Sequence, residues 1–226
     1  MARTKREKGN DSFVSRSRLM LNAEEAQKYD FMFFNNAVLG QGLALTPVIA
    51  AANTLRNAVI LAIAAVVLII PTRILGDATV GWIKTRLRII FYTVLSALIL
   101  IPDMILLSRW FGGSFISVGL YVPLLFVDGI VTWRASVAQR EGARHVFRNA
   151  FSTAIGYSVV ICLVGSIREI LGKGTIWGVQ LFRGPLFSAA SIIPGGFLIT
   201  ALVAAFWQSI TSFFKKIVFG GGKTDA

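Results

Sequence analysis

Charge is scarce in this sequence: of 226 residues, 23 are Lys or Arg and 11 are Asp or Glu, a charged share of 15%. Soluble chains carry roughly 25%, so there is too little polar surface to coat a globule in water. Cysteine and histidine are rarer still, with one of each, Cys162 and His145. A single thiol closes no intramolecular disulfide, and it cannot build a zinc or iron–sulfur site from this chain alone. Ser-His-Asp and Cys-His catalysis lose their support for the same reason, because the one histidine falls in a predicted cytoplasmic loop. Cys162 reads as a small packing residue. Aromatics are not lacking. With 17 Phe, 5 Trp and 55% apolar residues, disorder is excluded as well.

What is present is a series of apolar runs, at about 37–54, 58–72, 89–107, 115–133, 150–171 and 186–212, with a mean hydropathy of +0.68 over the chain. They predict six transmembrane helices in an all-α integral membrane protein. The basic residues agree. With the N-terminus in the cytoplasm, 18 of them fall on cytoplasmic segments and five, Arg56, Arg109, Arg168, Lys173 and Arg183, on the other side. The positive-inside rule thereby absorbs the net charge of +12, and nucleic-acid binding loses its motivation. Anionic lipid headgroups are within reach of the basic loops, but topology alone explains them. All five tryptophans fall in or beside predicted helix ends, at headgroup level.

Residues 1–34 read as a cytoplasmic tail, with seven basic and five acidic side chains in the first 30 positions. No cleavable signal is predicted. Asn22 and Glu25 have capping-box spacing and predict a short helix over about 23–33. The membrane domain is assigned to 35–212 and a second cytoplasmic tail to 213–226, so both termini lie on the cytoplasmic side. The run Gly220-Gly221-Gly222-Lys223-Thr224 is not a phosphate-binding loop: position 217, where that motif needs glycine, is Ile217. Phe213 and Phe214 followed by Lys215 and Lys216 make an interfacial stop with snorkelling lysines.

Leu55-Arg56-Asn57-Ala58 and Phe147-Arg148-Asn149-Ala150 open the second and fifth runs, 92 residues apart. Three helices per half, about 35–112 and 113–212, require the halves to be inserted in opposite senses. In inverted repeats the functional site lies where discontinuous helices of the two halves meet. The first run, with Gly40, Gln41, Gly42, Thr46 and Pro47, and the fourth, with Gly119, Pro123, Asp128 and Gly129, both look interrupted.

Asp128 is a costly carboxylate within the fourth run. It serves either as a helix-packing group bonded to Asn53 or Thr46, or as an ion or proton site. Asp103, after Pro102, is weighed in the same way, with more weight on structure because the proline frees a carbonyl. Arg168 and Glu169 stand at the end of the fifth helix. They either position a loop or partner, or form a solvated or packed terminus capped by Gly172.

The stretch Asn35-Asn36-Ala37-Val38-Leu39-Gly40-Gln41-Gly42-Leu43-Ala44-Leu45-Thr46-Pro47 resembles the Rnf/Nqr membrane-subunit family, in particular the E component of Rnf electron-transport complexes and the D component of sodium-translocating NADH:quinone oxidoreductases. The likeness continues through Leu87-Arg88-Ile89-Ile90, Asp103, Val122-Pro123-Leu124-Leu125 and Arg134-Ala135. It is strongest at Arg168-Glu169-Ile170-Leu171-Gly172 with Gly174 and Gly178, and covers roughly 35–212. The resemblance implies six helices in two inverted repeats, a bacterial or archaeal cell (inner) membrane, and partners that include a homologous six-helix subunit and other members of an ion-translocating electron-transport complex. It also implies a [2Fe–2S] cluster held in part by cysteines in Leu-Cys-Pro and Asn-Cys contexts. The matching positions here are Thr46 and Gly129, so this chain alone is expected to bind no metal or other cofactor, with cluster and flavin confined to partner subunits. The expected role is a scaffold or ion-path subunit around Thr46, Asn53, Asp103, Asp128 and Gly129, not catalytic alone. A stand-alone transporter or channel for a small solute or ion is the alternative.

Overall fold

The computed structural model describes residues 36, 38–40, 42, 45–79, 81–127 and 143–218. The predicted helix over 23–33, Asp128, Gly129, Trp133 and the glycine-rich tail at 220–224 lie outside them. Among the described residues the elements run α1 (Leu45–Ala50), α2 (Leu55–Thr79), a 3₁₀ turn (Thr85–Leu87), α3 (Arg88–Phe111), α4 (Gly113–Gly119), α5 (Leu124–Val127), α6 (Ala143–Lys173), a two-strand hairpin β1–β2 (Thr175–Ile176, Val179–Gln180), a 3₁₀ turn (Ser188–Ser191) and α7 (Ile193–Val218). Four helices are long and apolar enough to cross a membrane, Leu55–Thr79, Arg88–Phe111, Arg144–Lys173 and Ile193–Phe213. A helix suits that solvent because it bonds its own backbone.

The first and fourth apolar runs differ from the others in having no long helix within their described residues. The first holds a turn at 38–40 and the six-residue α1, then leaves helical geometry over Ala52–Thr54; the fourth is divided between α4 and α5 by turns over 120–123. Gly42 at φ +69° and Pro123 mark places where a regular helix is disfavoured. α1 adjoins both α5 and α7.

Several boundaries shift from the sequence reading. α2 runs on to Thr79 rather than stopping near 72, carrying Pro71 inside it, as membrane helices tolerate. α7 begins at Ile193 rather than 186 because the chain from 181 to 192 is folded back on α6, where the Phe187 amide donates to the Leu171 carbonyl at 2.7 Å. α7 then continues to Val218, past the predicted tail boundary at 212, so Trp207 lies inside the helix rather than at its end. Gly172 is not the cap of α6. The helix passes through it, and the left-handed residue that ends it is Gly174 at φ +67°. Position 172 instead needs glycine because Ser191 packs directly against it.

The core is the seam between α2 and α6. Ser158 Oγ donates to the Ala62 carbonyl at 3.5 Å, while Gly165 faces Ala58 and Thr54, so rising numbers on one helix meet falling numbers on the other and the two are antiparallel. Ala58, Ala64, Ala65 and Ala154 are fully buried along it. Small residues suit a membrane interior, where lipid is as apolar as leucine and close backbone approach supplies the attraction. On the outside, Ile90, Val94, Leu98, Ile101 and Ile105 recur at helical spacing as an exposed stripe on α3, a face that water would disfavour and hydrocarbon would not.

Candidate functional site

Two of the charged residues buried inside this apolar body, Arg168 and Glu169, meet at the outlet of α1. Arg168, one turn before the end of α6, is fully buried. Among the described residues its guanidinium donates only to main-chain carbonyls: Nη1 to Ile49 at 2.6 Å, Ala52 at 3.2 Å and Val48 at 3.4 Å, Nε to Ala190 at 3.0 Å, and Nη2 to Ile192 at 3.3 Å. Ile49 and Val48 are in the last turn of α1, where a helix end leaves carbonyls without intrahelical donors, and Ala52 lies just past it; the last two belong to the turn before α7. One planar side chain thus joins α1, α6 and the entry to α7. A Cβ on Gly196 would stand 2.9 Å from both Arg168 Cζ and the Ile49 carbonyl, which explains the glycine there.

Glu169 faces the other way. Its Oε2 accepts the Leu55 amide at 2.7 Å, at the start of α2, and its Oε1 accepts the Thr175 hydroxyl at 3.1 Å and the Gly178 amide at 3.0 Å. A carboxylate at a helix N-terminus and a cation at a helix C-terminus both oppose the backbone dipoles they meet. The adjacent pair therefore clamps the break between α1 and α2 from both sides and fastens the hairpin to it. Glu169→Gln replaces one acceptor oxygen with an NH₂ donor, so either Leu55 or the hairpin loses its partner. The expected cost is about 1.5–3 kcal/mol, with faster amide hydrogen exchange at Leu55 or Gly178 as the measurement that checks it.

The turn ahead of α1 is held by Asn36, also buried. Its Oδ1 accepts the amides of Val38 and Leu39, and its Nδ2 donates to the Gly156 carbonyl at 3.0 Å, 120 residues away. Gln208 on α7 reaches the Leu39 carbonyl at 3.4 Å. Between this turn, α1 and α7 lies a cavity of about 480 Å³ lined by Gly40, Gly42, Thr46, Phe197 and Thr200 among others. Thr46 is exposed to it. Asn53 bonds Asn57, Oδ1 accepting Nδ2 at 2.9 Å, and so belongs to the start of α2 rather than to the cavity.

Asp103 lies apart, on α3. It is fully buried, and neither carboxylate oxygen has a hydrogen-bond partner among the described residues. Buried carboxylates are seldom left so. Thr46, Arg168 and the cavity are therefore near one another, Asn53 and Glu169 serve the neighbouring helix start, and Asp103 belongs to another part of the fold. Cys162 is half-buried on α6. No group of three or more His, Cys, Asp or Glu side chains with metal-binding geometry occurs among the described residues.

Sequence reasoning missed Asn36, Gly165, Gly196 and Gln208 as members of this junction. It also passed over a second repeat signal. Arg73-Ile74-Leu75-Gly76 and Glu169-Ile170-Leu171-Gly172 stand 96 residues apart, each followed three positions later by threonine, Thr79 and Thr175. In both copies the glycine is pressed against the next segment, Gly76 by the Tyr92 ring and Gly172 by Ser191.

Comparison with known proteins gives one consistent result. Residues 27–204 match the family described as "Rnf-Nqr subunit, membrane protein". Among curated proteins, the E component of the ion-translocating oxidoreductase complex of Shewanella sp. (strain ANA-3) is 27% identical over 198 residues, covering 80% of this chain and 85% of that protein. The protein of the same description from Shewanella oneidensis is 28% identical over 187 residues, covering 76% and 81%.

Proposed function

The chain belongs to the Rnf-Nqr family of membrane subunits, and from that premise we propose that it is an integral subunit of an ion-translocating oxidoreductase complex. Its architecture in this reading is six membrane segments in two inverted repeats, the first and fourth broken, with both termini in the cytoplasm of a bacterial or archaeal cell. The antiparallel seam of α2 with α6 and the paired Ile-Leu-Gly segments support the repeat; the excess of basic residues on one set of loops supports the orientation. Its partners would be a similar six-helix subunit and the other members of such a complex.

The chain would not ligate a cluster. The position matching the family's first cysteine is Thr46, whose hydroxyl is not a thiolate ligand, and the second is Gly129, which has no side chain. Cys162 lies on α6, outside the cavity that Thr46 lines. What the chain retains is the broken α1 outlet, secured by Arg168 and Glu169, and this observation carries the reading of a scaffold or ion-path subunit. Asp103 is the candidate ion-path carboxylate of the described residues, since a buried carboxylate with no hydrogen-bond partner among those residues is suited to a passing cation or proton.

The decisive experiment is gentle affinity purification from native membranes, with mass spectrometry of the retained proteins and iron and flavin assays on the same sample. Flavin-bearing and six-helix partners are expected. A protein that emerges alone and colourless would overturn the subunit reading and move attention to the 480 Å³ cavity at Thr46 as the site of a solute transporter. Within the purified complex, Asp103→Asn is expected to leave assembly intact while lowering ion-dependent turnover at least about tenfold, the effect of one interaction worth ~1.4 kcal/mol. Unchanged ion dependence would remove Asp103 from the path.

A further inference from the structure

A second concavity lies between α6 and α7, away from the α1 outlet. It has a volume of about 420 Å³ and is walled by Leu163, Ile167 and Leu171 on one helix and Ile199, Val203 and Phe206 on the other. Its lining is apolar throughout, and Leu202 and Phe206 at its mouth are 62% and 69% exposed. Along α7 the wall runs from Ile199 to Ile210, about 16 Å at 1.5 Å per residue. That is close to half of a hydrocarbon layer ~30 Å thick, the depth of one leaflet.

Leu171 forms the end of the groove nearest the hairpin, and two cations lie in the chain that follows it, beyond the groove's own lining. Lys173, two residues beyond, is exposed. The amides of Leu181 and Phe182 both donate to the Gly174 carbonyl, at 2.9 and 3.0 Å, which brings the neighbouring exposed Arg183 back to the same helix end. Trp177, 53% exposed, stands on the same hairpin with the left-handed φ of +53° that a two-residue hairpin turn demands. An indole and two cations just beyond the end of a leaflet-deep apolar groove, within reach of long side chains, match the headgroup and chain of one molecule.

We propose that the α6–α7 groove is a binding site for one phospholipid, its acyl chain between the two helices and its phosphate against Lys173 and Arg183. The bound chain completes the packing of α7, which is otherwise held to α6 chiefly through the loop before it.

The test uses the full chain reconstituted in palmitoyl-oleoyl phosphatidylglycerol vesicles, re-extracted in mild detergent and analysed by native mass spectrometry. One retained phospholipid per chain is expected. Val203→Phe fills the groove and should abolish that retention, and Lys173→Gln and Arg183→Gln should each weaken it about fivefold. Should Val203→Phe fail to fold, Leu202→Trp at the exposed mouth blocks the same space without disturbing the seam. Retention unaltered by the blocking variants, or no retained lipid in the unmodified chain, overturns the proposal. So does a photo-crosslinker at position 202 that traps a protein rather than lipid in native membranes.

Discussion

Replacing Arg168 with leucine is expected to leave little folded protein in the membrane. Five carbonyls, on Val48, Ile49, Ala52, Ala190 and Ile192, lose the Arg168 donor together; Ile192 keeps the Gly196 amide at 3.0 Å, but the site is buried, so water does not replace the donor at the others. An orphaned buried acceptor costs about 1–3 kcal/mol, and several are orphaned here at once. Against a total stability of about 5–15 kcal/mol, that is enough to unfold the α1 outlet or the whole chain. Arg168→Lys should recover only part of the loss, because a compact ammonium has three donors and no fork with which to reach Ile49 and Ala190 at once. The checking measurement is thermal unfolding followed by size-exclusion of detergent-solubilised protein. A leucine variant that melts with the unmodified protein would mean that the clamp contributes nothing to stability.

The seam of α2 and α6 yields the second large effect. A Cβ on Gly165 would stand 2.6 Å from Ala58 Cβ and 3.2 Å from the Thr54 carbonyl. Gly165→Ala must therefore push the two helices apart near the outlet, with an expected cost of about 1–3 kcal/mol. The cause is specific enough to be reversed. Ala58→Gly removes the methyl group that Gly165→Ala meets, so the double variant should regain most of the loss, with a coupling energy above ~0.5 kcal/mol. Additive costs in that cycle would show that the clash is not the origin of the effect.

The long helices were legible because hydropathy and charge act over twenty residues at a time, and α2, α3, α6 and α7 follow their apolar runs. Breaks in the first and fourth runs were legible from glycine and proline. The junction was not. Arg168 reads in the sequence as one of five non-cytoplasmic cations, yet it is fully buried; no window of hydropathy registers that its partners are carbonyls 116–120 residues away. Gly165 and Gly196 were missed for a related reason, since a glycine is uninformative until the backbone it faces is known. Gly172 likewise takes its meaning from Ser191, a residue of a different segment that packs against it.

The span of the Arg168 bonds bears on how the chain is made. At roughly 5–20 residues per second, about 6–24 seconds separate the emergence of Ile49 from that of Arg168, 119 positions later. Throughout that interval the carbonyls at the end of α1 lack the Arg168 donor, and the Asn36 amide waits just as long for the Gly156 carbonyl, 120 positions on. The nascent first half must therefore stay at the aqueous edge of the insertion machinery, or be shielded by it. A truncated chain ending after α3 should accumulate as a target of membrane proteases rather than as a stable half-protein, and it should be rescued when the second half is supplied on a separate polypeptide.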